Sequence, residues 1–193
     1  DSLRIRGRAP LQEIQSRRQL QRLGQGYQGS DTRLVVALPA PLPPTDSTTL
    51  EVGWHFRIPG ADNFRMGQDG EVYYLGYWYP QMAVYDDVHG WRAQPYLGDG
   101  EFYMGYADYD VSVTVPEGWL VGATGRLQNP GAVLADSAHT RLRRARESEN
   151  AIVSVVDSTE RGVGAATVAA PAGDSTLTWR FSAERVRDFA FGT

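Results

Sequence analysis

The chain has 193 residues, 41% hydrophobic and 22% charged, an ordinary globular composition that excludes disordered, collagen-like and coiled-coil polypeptides. Its net charge of -4 argues against a general nucleic-acid binder, and no apolar run approaches the roughly 18 residues of a membrane span. Cysteine is absent, which excludes disulfides, a thiolate nucleophile and Cys-based zinc modules, and every basic residue is Arg.

Residues 1–30 form a mixed N-terminal segment. After Pro10, the residues Leu11, Ile14, Leu20 and Leu23 recur at helical spacing until Gly24 and Gly26, which predicts a short helix. The remainder, 31–193, reads as one β domain. Residues 33–38 are an expected strand, followed by a turn rich in Pro39, Pro41, Pro43 and Pro44. Over 48–58, Leu50, Val52, Trp54, Phe56 and Ile58 share one face, and His55 and Arg57 point to the other.

Strands are also expected over 71–79, 101–104 and 109–115. Pro116-Glu117-Gly118 then turns the chain, and 119–124 is expected to pair back as a hairpin. Residues 131–149 are helical in composition, with Asp136 or Ser137 as cap and Leu142 and Ala145 at helical spacing. Residues 152–156 and 177–181 are further expected strands, with a loop or weak strand over 162–173 between them. About eight short strands and one or two short helical insertions predict an all-β fold, a β-sandwich. The strand-like Asp188-Phe189-Ala190-Phe191 runs almost to Thr193, as expected of a piece of a longer protein or of a natural C-terminal strand.

Of the 5 Trp, 10 Tyr and 6 Phe, 12 lie in residues 73–109. Aromatics on both faces of one strand mean that both faces are covered, or that one binds sugars or peptides. In the binding reading, Tyr73, Tyr77 and Tyr79 form an exposed flat row.

No catalytic or metal centre emerges from the residues. His55, His89 and His139 lie in three separate segments, and no H-E-x-x-H occurs. There is no G-x-S-x-G for a Ser nucleophile, and Gly162-Val163-Gly164 does not continue into a phosphate cradle. Asp86 with Asp87 and Asp108 with Asp110 are paired carboxylates of the kind that bind calcium or cleave glycosides. Their positions beside Gly and aromatics fit turn chemistry better. The run Arg141-Leu142-Arg143-Arg144-Ala145-Arg146 fits a solvated, salt-bridged helix face.

One ordered set of motifs goes further. Trp78-Tyr79-Pro80-Gln81-Met82-Ala83-Val84-Tyr85-Asp86-Asp87 is followed by Gly90-Trp91, Pro95-Tyr96-Leu97-Gly98, Glu101-Phe102-Tyr103, Asp108-Tyr109-Asp110-Val111, Val115-Pro116 and Gly122-Ala123-Thr124-Gly125. The exit segment runs from Trp179 to Phe191. This series resembles the N-terminal β-domain of a bacterial branch of the aminopeptidase N family of gluzincin zinc metallopeptidases. The resemblance covers roughly 31–191 and is densest at 64–130 and 179–191. It implies a saddle-like β-sandwich that carries no catalytic residue and no metal ligand of its own. The zinc is expected in a catalytic domain absent from this chain, where it activates a water with a Glu as general base.

The implied partners are that domain and a peptide substrate whose N-terminal residue is removed, with no nucleic acid and no membrane span. This chain alone is expected to be inactive, capping the cleft and helping to bind the substrate N-terminus. Related bacterial proteins are commonly exported, which favours a periplasmic or extracellular location. In the family a Gln or Glu on a β-domain strand receives the α-amine, and counting back from Pro80 places Glu71 there. An acid can pair with an ammonium; the alternative is a plain strand-start residue after Asp69-Gly70. The upstream strands of the family are missing or changed before residue 31. A stand-alone glycan- or peptide-binding β-sandwich module is the other functional reading.

Overall fold

A computed structural model of the chain describes residues 11–14, 29–30, 33–34, 36, 38, 40–62, 65–92 and 102–193. The described fold is mostly β. Its strands are β1 (Leu11–Ile14), β2 (Gly29–Ser30), β3 (Arg33–Leu34), β4 (Leu50–Val52), β5 (Met66–Asp69), β6 (Val72–Leu75), β7 (Val84–Asp86), β8 (Gly90–Arg92), β9 (Ala107–Pro116), β10 (Gly122–Ala123), β11 (Arg126–Leu127), β12 (Thr176–Val186) and β13 (Phe191–Gly192). A 3-10 turn, Pro130–Ala132, precedes one α-helix among the described residues, α1 (Asp136–Glu147).

The longest ladder is β9 with β12, antiparallel from Thr176↔Pro116 to Val186↔Ala107. Its period-two pattern decides which face is dry. Val113, Val115, Leu177, Trp179, Phe181 and Ala183 are buried, while Ser112, Thr114 and Arg180 are exposed. Fully burying each large apolar side chain contributes roughly 1.5–3 kcal/mol. β11 joins the other side of β12, giving the order β11-β12-β9. The second main sheet has the order β10-β13-β6-β5. Its β5–β6 hairpin turns at Gly70, where φ is +59°. One buried cluster draws on both sheets: Leu75 and Phe191 from the second, Val113, Val115, Leu177, Trp179 and Phe181 from the first. Trp78, Val121, Val133, Leu134, Ala138 and Phe189 complete it.

The expected hairpin over 119–124 does not form. Gly122 and Ala123 pair with Gly192 and Phe191, not with β9. The next two residues carry the chain from one sheet to the other, and β11 pairs with β12. Gly125 makes this passage possible: its φ is +85°, and a Cβ there would collide with the Ser182 carbonyl.

Other elements are shorter than expected. Only Leu50–Val52 of 48–58 is a strand, yet the alternation continues beyond it. Trp54, Phe56 and Ile58 are half-buried against the core, while His55 and Arg57 are exposed. Of 33–38 only Arg33–Leu34 is a strand, and residues 35 and 37 lie outside the described ones. Residues 102–104 and 152–156 are not strands; Ile152 is fully exposed, so its apolar side chain brings no packing to hold a strand there. The helix forms inside 131–149, but Ala135 is its N-cap and makes no side-chain cap bond. Asp136 lies in the first turn instead, where a negative charge favours the positive helix end. Leu11–Ile14, expected at the start of a helix, are a strand parallel to β4. The rest of that expected helix lies outside the described residues.

Trp179 is 1% exposed at the centre of the cluster. Trp179→Ala is expected to cost about 3–5 kcal/mol, read as a lowered urea midpoint in equilibrium unfolding.

Candidate functional site

The richest side-chain chemistry lies where residues 77–81 meet residues 188–189. β6 ends at Leu75, and Tyr77 bends the chain with φ at +53°, the left-handed region that a bulky residue rarely adopts. The Tyr77 N–H donates to Asp188 Oδ2 at 3.3 Å. The indole N–H of buried Trp78 donates to the Phe189 carbonyl at 2.8 Å. The Tyr79 hydroxyl lies 3.0 Å from Asp188 Oδ1 and 2.9 Å from the Tyr109 hydroxyl. The Gln81 amide donates to Asp188 Oδ1 at 2.9 Å and to the Tyr79 oxygen at 3.0 Å. The Phe189 N–H donates to the same oxygen at 3.3 Å.

The Asp188 carboxylate is therefore held by three neutral donors, from Tyr77, Tyr79 and Gln81. No cation lies within ion-pair distance of it among the described residues. Burial is the main reason the Tyr79 hydroxyl titrates far above its ordinary value of 10.0; its bond with Tyr109 and the nearby Asp188 charge add to this. Tyr79 stays a neutral donor at any physiological pH. The polar groups of the node are spent on one another: Tyr77, Tyr79 and Gln81 on Asp188, and Trp78 on Phe189.

The sequence-derived site residues stand elsewhere. Glu71 lies in the turn between β5 and β6, its side chain 90% exposed and 3.2 Å from Arg161. His55 is on the exposed side of 53–59, His89 is in the β7–β8 turn, and His139 is on α1. Among the described residues no three His, Asp or Glu side chains gather where a metal ion could be held. Asp86 closes the β7–β8 turn by accepting the Val88 and His89 N–H groups at 3.0 and 2.6 Å. These bonds, the His89 one first, hold its carboxyl below the ordinary carboxylate range. Asp87 is exposed. Asp108 Oδ1 accepts the Arg185 N–H at 2.7 Å, where β12 carries an extra residue, and Asp110 is exposed on β9. Both acid pairs thus serve turns and strand ends. Gly162 and Gly164, with φ of +84° and +82°, form a tight turn closed on Thr167. Of the basic run, Arg141 makes a two-pronged bond to Glu160 at 3.1 and 2.6 Å, and Arg143, Arg144 and Arg146 are exposed.

Tyr73, Tyr77 and Tyr79 do not form an exposed flat row. Each is half-buried: Tyr73 stacks on Trp119, Tyr77 meets Phe102 edge-on, and Tyr79 meets Trp78 and Tyr109 edge-on. The exposed rings lie further on. Tyr85 and Trp91, cross-strand partners in β7–β8, are 66% and 61% exposed and meet edge-on at 76°. Asp188 and Tyr109 are not legible in the sequence as partners of Tyr79, because 109 and 30 residues separate them from it; their only signal is membership of the two motif stretches.

No protein-family model matches the chain, and neither a curated protein nor a solved structure matches it.

Asp188→Ala removes the shared acceptor of three donors, of which Tyr79 and Gln81 keep a second partner, and is expected to cost about 2–3 kcal/mol in urea unfolding. The raised Tyr79 value also sets a pH dependence. Above pH 10 the unfolded chain loses this proton and the folded chain keeps it, so stability falls as pH rises through that range. In Tyr79→Phe this part of the alkaline loss is expected to vanish, measured as unfolding free energy between pH 8 and roughly pH 11.

Proposed function

We propose that the chain is a non-catalytic β-domain of a zinc aminopeptidase, a β-sandwich that caps the substrate cleft and helps to bind the peptide N-terminus. The observation that carries this reading is the node itself. Residues 77–81 and 188–191 belong to the two densest stretches of the family resemblance, over 100 residues apart, and they close on one another through Asp188 and Phe189. A chance likeness of two aromatic stretches gives no reason for such mutual fastening. The sandwich reading is supported by the single buried cluster shared by the β11-β12-β9 and β10-β13-β6-β5 sheets.

The zinc belongs outside this chain in this reading. His55, His89 and His139 are on separate elements and do not fit a zinc site. This chain's part is shape and one charge. Glu71 is the carboxylate that receives the substrate ammonium, presented at a hairpin tip with Arg161 as its competitor for that charge. Such an exposed pair is weak, about 0–1 kcal/mol, so an ammonium displaces Arg161 readily once a neighbouring domain excludes water. The glycan-binding reading loses the exposed tyrosine row on which it rested.

The coding sequence that continues past Thr193 tests the domain assignment. An H-E-x-x-H helix with a distant Glu in the next domain is the expected result; an unrelated domain or a stop overturns it. In the assembled enzyme, Glu71→Gln is expected to raise KM several-fold for peptides with a free N-terminus and to leave kcat unchanged. An unchanged KM removes Glu71 from the site and leaves the domain assignment standing.

A further inference from the structure

β9 is an edge strand. β12 pairs with it over its whole length on one side, and among the described residues no backbone group pairs with the other side. In an antiparallel ladder, alternate residues direct their N–H and C=O groups to each side. About half of the backbone groups of Ala107–Pro116 therefore point away from β12 along a ten-residue front. Edges of this length are normally blunted by charged side chains, an internal Pro or a bulge. β9 carries charge only in its first half, at Asp108 and Asp110; its Pro116 is the last residue, and the extra residue between Ala183 and Val186 falls on β12. Its inward-facing Tyr109 and Val111 are only half-buried, whereas Val113 and Val115 are 1% exposed.

We propose that β9 pairs antiparallel with β9 of a second copy of this chain, on a two-fold axis at Val111, joining two three-stranded sheets into one of six strands. A strand that meets its own copy on such an axis is antiparallel by symmetry and equal in length. The side chains select the register. Centred on Val111, Asp110 stands opposite Ser112 of the second copy at two symmetric points, so each Asp110 carboxylate meets a hydroxyl donor; Asp108 and Thr114, which also stand opposite one another, keep their bonds to Arg185 and Thr178 on β12. On the inner face Tyr109 stands opposite Val113, and Val111 meets Val111, covering the two half-exposed residues. Centring on Asp110 opposes two like charges, and centring on Ser112 brings Pro116, which has no N–H, into the ladder. A single strand pair buries less than the roughly 1,200 Å² of a stable interface, so the association is weak and concentration-dependent.

Sedimentation equilibrium of the 193-residue chain tests this. A monomer–dimer equilibrium is expected in the micromolar to millimolar range; a monomer throughout overturns the proposal. Ser112→Asp opposes Asp110 of the second copy at two symmetric points and is expected to weaken dimerisation about tenfold. The fold tolerates the new charge, because Arg180 lies directly across on β12. Adding Asp110→Arg to Ser112→Asp makes both contacts attractive and is expected to restore the dimer. A dimer insensitive to these changes but lost in Tyr85→Ser/Trp91→Ser assigns the contact to the β7–β8 hairpin and overturns the proposal. Hydrogen exchange needs no variant: β9 amides that slow with protein concentration support the pairing, and amides that exchange at one rate at all concentrations exclude it.

Discussion

The Asp188 carboxylate is the constraint on which the rest of the molecule depends. It is half-buried with no cation beside it among the described residues, a situation that is costly unless hydrogen bonds replace the lost water. The replacement comes from three donors on one short segment, Tyr77, Tyr79 and Gln81. That segment must then lie against 188–189, and Trp78, between the donors, is placed with its indole in the core and its N–H on the Phe189 carbonyl. The left-handed Tyr77 is the cost of aiming its N–H at the carboxylate. Such strain persists only where the surroundings over-determine the conformation, and here they do.

Both sheets inherit their placement from this contact. Phe191 and Gly192 continue directly from the node into β13 and pair with β6 and β10. Val186 precedes it at the end of β12, so one stretch of chain links the two sheets. Tyr109, hydrogen-bonded to Tyr79, ties β9 to the same point. Gly125 makes the second crossing between the sheets, where only a residue without Cβ fits. The chain thus passes between sheets at two places, and one buried cluster draws on both.

Sequence periodicity read the β9–β12 ladder well, because a strand with one dry face and one wet face writes its geometry into alternate residues. It read the faces of 53–59 equally well and their pairing not at all. Alternation reports which side is buried, and it says nothing of whether a neighbour supplies hydrogen bonds. The hairpin expected at 119–124 failed for a related reason. A turn signal fixes where the chain bends, but the partner of Gly122 and Ala123 comes from the far end of the chain, and nothing local encodes it. Leu11–Ile14 shows the opposite error: four apolar-polar residues fit either period, and tertiary pairing with β4 decides.

The aromatic stretch illustrates how a motif can be specific through packing and hydrogen bonding. Trp78, Tyr79 and Gln81 are distinctive residue types in a distinctive order, and each is used by Asp188, Phe189 or Tyr109. A hydrogen-bonded aromatic node tolerates few substitutes, since each ring must fill a volume and place one polar atom. Sequence specificity of that kind arises from folding alone. Chemistry toward a ligand has to be sought among groups the fold leaves exposed: the Glu71 carboxylate beside Arg161, the rings of Tyr85 and Trp91, and the edge of β9 that no described residue pairs. Of these, only the edge defines its own partner, because a ladder half completed on one side fixes the direction, spacing and register of whatever completes the other.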